Sequence, residues 1–149
     1  MFRLLSTIVV LALLALMPAT AAYAKSKVTA LEVPGKCRTL VISGDRLTGS
    51  CQSAVALAEV KGKGGVIVVP LKPLGAYNFY VDSVAPGKSR LLAVELSSFP
   101  VSNKHYAVPV IGTCKFGNYT KRATTISCSG KDINGLSFKL EFATGRPKR

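Results

Sequence analysis

The sequence predicts an all-β domain, either an antiparallel sandwich or a barrel, built from two disulfide-closed hairpins. Three observations lead to this fold class. Short runs of alternating polarity are separated by turn residues, four cysteines form two equally spaced pairs, and the N-terminus has the pattern of an export signal. No stretch keeps a helical period over three turns, so the pattern predicts strands throughout the domain.

Residues 1–24 have the parts of a secretory signal peptide. Arg3 makes the start basic, residues 4–17 are almost wholly apolar, and Ala22-Tyr23-Ala24 is a small-x-small cleavage pattern. A membrane-spanning helix needs about 20 apolar residues, which this stretch does not reach. We therefore expect cleavage before Lys25, a single domain over residues 25–149 with no transmembrane segment, and a periplasmic or secreted location.

The four cysteines are spaced as two identical pairs. Cys37 and Cys51 are 14 positions apart, as are Cys114 and Cys128. An even number of cysteines in an exported chain favours disulfides, and four cysteines allow three pairings. A four-thiolate zinc site would normally show short Cys-x-x-Cys pairs. If each segment is a hairpin with its cysteines opposite, the partners are Cys37–Cys51, turning about Gly44, and Cys114–Cys128, turning within residues 118–124.

The two cysteine segments also resemble each other in sequence. Seven positions align at an offset of 77 residues: Val33, Gly35, Cys37, Arg38, Thr48, Ser50 and Cys51 match Val110, Gly112, Cys114, Lys115, Thr125, Ser127 and Cys128. This predicts an internal duplication, with halves at roughly residues 28–75 and 105–145, followed by a basic tail at 146–149.

The remaining strands follow from alternation and from turn residues. Residues 54–60, the one stretch that could also form a helix, are taken as a strand, and further strands are expected at 66–69, 78–84, 91–97 and 106–111. In the second hairpin, Phe116 and Ile126 should share the apolar face, with Lys115 and Ser127 on the opposite face. After the turn at 132–135 comes the clearest strand, in which Leu136, Phe138, Leu140 and Phe142 alternate with Ser137, Lys139, Glu141 and Ala143.

The C-terminal segment 112–145 resembles a group of small uncharacterised exported proteins from alphaproteobacteria. The positions that carry the resemblance are Gly112, Cys114, Phe116, Thr125, Cys128, Gly135, Phe138, Phe142, Thr144 and Gly145, and residues 35–51 look like the first hairpin of that group. After the first disulfide the chain departs from the group, with Lys61-Gly62-Lys63-Gly64-Gly65 in place of a Tyr-x-Asn-Gly-Arg turn. The resemblance implies the fold and the periplasmic compartment, and no reaction.

The sequence carries no recognisable catalytic motif. His105 is the single histidine and is expected at the surface beside a strand start. The seven carboxylates are scattered singly, and the patterns of nucleophile elbows, zinc proteases and phosphate-binding loops are absent from the sequence. We therefore predict a non-enzymatic domain with no catalytic residue, no cofactor and no metal.

Charge is the one sequence feature that points to a partner. The full chain has a formal charge of +13, and residues 25–149 keep 19 basic against 7 acidic side chains, or +12. Such a charge attracts anionic surfaces over long range, although solubility alone is a competing explanation. The candidate anion-binding residues, expected at turns and in the tail, are Lys61, Lys63, Lys88, Arg90, Lys121, Arg122, Lys131, Arg146, Lys148 and Arg149.

The predicted partner is an anionic envelope component or an acidic protein. Nucleic acid is disfavoured because Phe79, within the aromatic group Tyr77, Phe79 and Tyr80, alternates as a core residue would and not as a base-stacking one. The alternative function is a secreted inhibitor or accessory protein that recognises another protein by its loops. The sequence makes no prediction of oligomeric state.

Overall fold

A computed structural model describes residues 28–97 and 106–147. Within these ranges the chain forms nine β-strands, one short 3-10 helix and no α-helix. The strands are β1 (Val28–Ile42), β2 (Asp45–Arg46), β3 (Ala54–Val60), β4 (Gly64–Pro70), β5 (Ala76–Val81), β6 (Gly87–Ser97), β7 (Ala107–Phe116), β8 (Thr125–Lys131) and β9 (Ser137–Thr144), and the 3-10 helix is Thr48–Ser50. The prediction of an all-β fold is confirmed.

The eight long strands close into an antiparallel barrel. From β3 to β9 each strand pairs with the next one along the chain, and β1 pairs with both β3 and β9. Closure removes the unpaired edges that an open sheet would expose. Of the two architectures left open by the sequence, the structure is therefore the barrel.

Strand β1 closes the barrel by pairing with different partners along its two halves. Residues 28–34 pair with β3 and residues 35–41 pair with β9. At the crossover, Gly35 donates its N–H to the Ser53 carbonyl at 2.9 Å, and the Pro34 carbonyl accepts the Gly145 N–H at 2.7 Å. A Cβ on Gly35 would collide with the Ala143 carbonyl oxygen, so glycine allows the close approach of β1 to β9.

The barrel interior is filled by alternate side chains from the strands. Phe79, Phe138 and Phe142 are the largest of the fully buried side chains, and leucine, isoleucine and valine from the other strands surround them. An eight-stranded barrel has an interior just wide enough for such side chains to fill. Since the described lumen is occupied by this core, the surfaces on which a ligand could rest are the ends and the outer face.

The alternation predicted for the last strand is confirmed, with one correction. Phe138, Leu140 and Phe142 are buried, but Leu136 is exposed. Leu136 precedes β9 and closes the turn, where its N–H donates to the Asp132 carboxylate at 2.9 Å. A turn residue held in this way does not follow the strand alternation.

Both predicted disulfides form, and the hairpin geometry is confirmed for one of them. Cys114 and Cys128 are directly opposite on β7 and β8, with Cα atoms 4.0 Å apart. Phe116 also lies opposite Ile126, and both are buried, as the predicted register requires.

The prediction that Cys37 and Cys51 oppose each other in a regular hairpin is wrong. Cys37 pairs with Phe142 on β9, and Cys51 follows the 3-10 helix, forming an isolated bridge with Leu71. The chain does turn at Ser43-Gly44, both with positive φ, but β2 is only two residues long. The Thr48 hydroxyl then accepts the Leu40 N–H at 3.0 Å in place of a ladder partner. The disulfide joins Cα atoms 6.1 Å apart outside the hairpin ladder.

The predicted duplication stays a prediction, with one local similarity between its halves. Gly35 and Gly112, which align at the offset of 77, both lie where a Cβ would collide with the neighbouring strand's backbone. The two cysteine segments otherwise differ, because only the second is a regular hairpin.

Candidate anion-binding surface

The up-and-down order of the strands sends alternate connections to opposite ends of the barrel. One end, called here the Tyr119 end, has the connections at 61–63, 82–86 and 117–124 and the segment 145–147. The other, the Ile133 end, has those at 43–44, 71–75 and 132–136. The topology thus decides which charged turns share an end, whatever their separation in sequence.

Most of the predicted turn cations fall at the Tyr119 end. Lys61 and Lys63 lie in the β3–β4 turn, Lys121 and Arg122 in the β7–β8 connection, and Arg146 after β9. Lys131 ends β8 at the Ile133 end, away from the others. Lys148, Arg149 and His105 lie outside the described residues.

Lys88 and Arg90 are not turn residues, contrary to expectation. Both lie on the outer face of β6, because the residue between them, Ser89, is buried. Arg90 is already paired: its Nε donates to Asp82 Oδ2 at 2.6 Å and its Nη2 to Asp82 Oδ1 at 3.3 Å. These hydrogen bonds hold the pKa of Asp82 below its usual value of 3.8. The charge of Arg90 is therefore largely balanced within the protein.

Lys88 has a different neighbour, a second lysine. It lies directly opposite Lys115 across the β6–β7 pair, and both are exposed. Among the described residues neither has a carboxylate within ion-pairing distance. The connection that follows β7 adds Lys121 and Arg122 at the same end. We call Lys88, Lys115, Lys121 and Arg122 the basic corner; strand β5 separates it from the β3–β4 turn that carries Lys61 and Lys63.

Tyr119 fixes the connection that contributes to this corner. Its buried ring makes an edge contact with Phe116, with centroids 6.5 Å apart, and its hydroxyl donates to the Val84 carbonyl at 2.6 Å. Burial raises the pKa of Tyr119, with a smaller contribution from the Glu59 carboxylate. Tyr119 therefore ties the β7–β8 connection to the β5–β6 connection at this end of the barrel.

Sequence reasoning missed Lys115 as a candidate. Its outward position in the second hairpin was predicted, but its pairing with Lys88 depends on the β6–β7 register, which contains an irregularity between Leu91 and Ala93. An irregularity of this kind shifts the pairing by a residue and leaves no clear signal in the sequence.

The Ile133 end has a different character. Its connections expose apolar tips: Leu74 is 71% exposed and Ile133 99%, and Tyr106, just before β7, is 74% exposed. Apolar and aromatic side chains of this kind are the usual anchors of protein–protein contacts. The two ends therefore offer chemically distinct surfaces.

The described part of the chain contains no group of three or more His, Cys, Asp or Glu side chains placed to hold a metal ion. The same described residues include no helix that is long and apolar enough to cross a membrane. The two disulfides indicate an oxidising, exported environment.

Comparison of the chain with family models, with curated proteins and with solved structures gives no match. The resemblance to exported alphaproteobacterial proteins stays a prediction.

Proposed function

We propose that this protein is a non-enzymatic binding domain, exported through cleavage before Lys25 into the periplasm or the medium, which binds an anionic envelope component or an acidic partner through its basic corner. The observation that carries the proposal is the directly opposed pair of lysines, Lys88 and Lys115. Like charges at directly opposite positions of an antiparallel pair destabilise the fold. An anion that contacts both ammonium groups would relieve that repulsion.

The corner has enough charge for useful binding to a negatively charged surface. Each lysine or arginine near such a surface contributes about 1 kcal/mol, so four residues would supply about 4 kcal/mol at low salt. This is a peripheral, reversible affinity, and it weakens as salt screens charges beyond about 10 Å at 0.1 M. A solubility role alone requires no such clustering, since it depends on net charge.

Vesicle sedimentation tests the proposal. The chain from Lys25 onward is mixed with phosphatidylcholine vesicles, with or without phosphatidylglycerol, at about 0.05 M and about 0.5 M salt, where screening differs strongly. We expect binding only to the anionic vesicles at low salt. Replacing Lys88 and Lys115 by Gln should lower the partition constant about tenfold or more.

The matched control removes two other positive charges, with Lys61→Gln and Lys63→Gln in the β3–β4 turn. This variant has the same net charge as the corner variant, so net charge alone predicts equal losses. Equal losses, or no binding by the unmodified chain at low salt, would reject the basic corner as the site.

A second function is favoured by the apolar tips at the Ile133 end, namely an inhibitor or accessory protein that recognises another protein by its loops. Leu74 and Ile133 would serve there as anchors. Binding of this kind tolerates high salt, whereas binding by the basic corner does not. A pull-down from envelope extracts at low and high salt separates the two, with Ile133→Ser as the variant that should abolish only the salt-tolerant fraction.

A further inference from the structure

The outer face of β8 forms the floor of a groove that the sequence did not indicate. Along this strand the outward residues that line the groove are Ser127 and Ser129, both of them short. The groove above them has a volume of about 470 Å³. This is within the range of small-molecule binding clefts, about 300–1,000 Å³. We call this groove the serine trough.

The walls of the trough are long charged side chains from the two neighbouring strands. On β7, Lys115 lies directly opposite Ser127, and on β9, Lys139 lies directly opposite Ser129. Short hydroxyl side chains on β8 thus lie between a lysine on β7 and a lysine on β9, and the lining continues onto β1 and β2. Strands are about 4.8 Å apart, so the two walls are about 10 Å apart.

Two registered rows of side chains cross the trough. One row runs Arg46, Val41, Lys139, Ser129, Thr113, with one residue from each of five adjacent strands. In the other row, Glu141 lies opposite Ser127. Among the described residues that line the groove it is the only carboxylate, and its Oε1 lies 3.6 Å from Arg38 Nη1 in an ion pair. The described lining therefore carries three cations, Lys115, Lys139 and Arg46, against one carboxylate, around a floor of hydroxyl groups.

The strands that hold the trough are covalently linked directly behind it. Cys114 and Cys128 are buried on the inner face of β7 and β8, and their disulfide joins residues adjacent to Lys115, Ser127 and Ser129. The backbone of a site on linked, paired strands loses little conformational freedom when a ligand binds.

We propose that the serine trough is a binding site for an acidic oligosaccharide, a short chain of sugars bearing carboxylate or phosphate groups. Serine and threonine hydroxyls both donate and accept hydrogen bonds, which suits the hydroxyl groups of sugars. Lys115, Lys139 and Arg46 supply charge-assisted hydrogen bonds to the acidic groups. This site is separate from the basic corner except for Lys115, and it does not depend on the proposed membrane or protein partner.

Single-stranded nucleic acid is the competing polyanion, and the lining disfavours it. Proteins bind single strands by stacking bases on aromatic side chains, in addition to charge. None of the described residues that line the trough is aromatic. An oligonucleotide would therefore have only its backbone charge to bind by.

The test uses backbone-amide NMR spectra of the chain from Lys25 onward, titrated with a galacturonate tetramer, a phosphorylated mannose tetramer, the methyl-esterified galacturonate tetramer and an oligothymidine of equal charge. Binding by either acidic sugar, with the largest shifts on β7, β8 and β9, supports the proposal. The neutral ester should bind at least about tenfold more weakly. Equal or tighter binding of the oligothymidine at the same amides would overturn it.

Variants separate a built site from general attraction. Arg46→Gln with Lys139→Gln should weaken binding about tenfold or more, whereas Lys61→Gln with Lys63→Gln, which removes equal charge, should change it less than about twofold. Thr113→Val, nearly isosteric and favourable in a strand, keeps the charge and should still weaken binding several-fold. Equal losses in the two charge variants, or no loss with Thr113→Val, would refute the site.

These variants leave Lys88 and Lys115 intact, so vesicle binding should be retained when the trough is disrupted. The trough can therefore fail while the basic corner holds, and the reverse. The amide spectrum of each variant also reports whether the barrel is folded.

Discussion

Replacing Lys115 by Glu should stabilise the barrel while weakening its binding to anionic vesicles. Lys115 lies directly opposite Lys88 on the exposed face of the β6–β7 pair. The substitution converts a repulsive cross-strand pair into an attractive one. Lysine and glutamate are both mildly unfavourable in strands, so the backbone preference changes little.

The size of the effect follows from cross-strand pairing energies. An opposite-charge pair at directly opposed positions contributes about 0.2–1 kcal/mol, and a like-charge pair costs a similar amount. Exchanging one for the other should raise the free energy of unfolding by about 0.5–2 kcal/mol. For a domain of this size, that corresponds to an increase in Tm of about 2–8 °C.

Thermal unfolding followed by circular dichroism, with both disulfides intact, measures the change at about 0.05 M and about 0.5 M salt. The gain should shrink at the higher salt, because exposed charges are then screened. Lys139→Glu is the control, since the residues opposite Lys139 are Val41 and Ser129, which carry no charge. It makes the same change in net charge without relieving a direct lysine pair.

An unchanged or lowered Tm for Lys115→Glu would refute the repulsion on which the basic corner rests. A gain of equal size in Lys139→Glu would show that net charge, and not the opposed pair, limits stability. A gain that is unaffected by salt would also contradict an electrostatic origin.

Three further predictions concern stability and titration. Replacing Cys114 and Cys128 together by Ala should lower the free energy of unfolding in urea by about 3 kcal/mol, the chain-entropy contribution of a loop of this length. Tyr119→Phe leaves the buried Val84 carbonyl without its donor and should lower the free energy of unfolding by about 1–3 kcal/mol. Because the pKa of Tyr119 is raised in the folded state, the free energy of unfolding of the unmodified chain should fall as the pH rises above 10, and that of the variant should fall less. The carboxyl of Asp82 should titrate below 3.8 by NMR, and Arg90→Gln should return its pKa toward that value. In the unmodified chain, the stabilising contribution of this ion pair should be lost as the pH falls through the folded pKa of Asp82.

Local patterns in the sequence were sufficient to predict most of the strands. The strand at residues 54–60 has the predicted bounds, and Phe138, Leu140 and Phe142 alternate inward as expected. These features depend on the period of two along a strand and on turn residues next to it, both of which are local. The pairing of Cys114 with Cys128 was predictable for the same reason, because one short hairpin contains both.

Features that depend on distant strands could not be predicted in this way. Whether the sheet closes as a barrel depends on β1, whose pairing partner changes from β3 to β9 between Pro34 and Gly35. The same change of partner takes Cys37 away from a regular hairpin. Local sequence does not specify which of several possible strands a given strand will pair with, because the pairing depends on the edges left exposed over the whole sheet.

The candidate sites show the same division. The sequence by itself determined that the chain is basic and that Lys115, Ser127 and Lys139 occupy outward strand positions. Only the tertiary structure decided that Lys115 lies opposite Lys88 and that Lys139 faces Ser129 across the trough. Alternation fixes the face on which a side chain lies, whereas its neighbours on that face depend on a register set jointly by the turns, the bulges and the closure of the barrel.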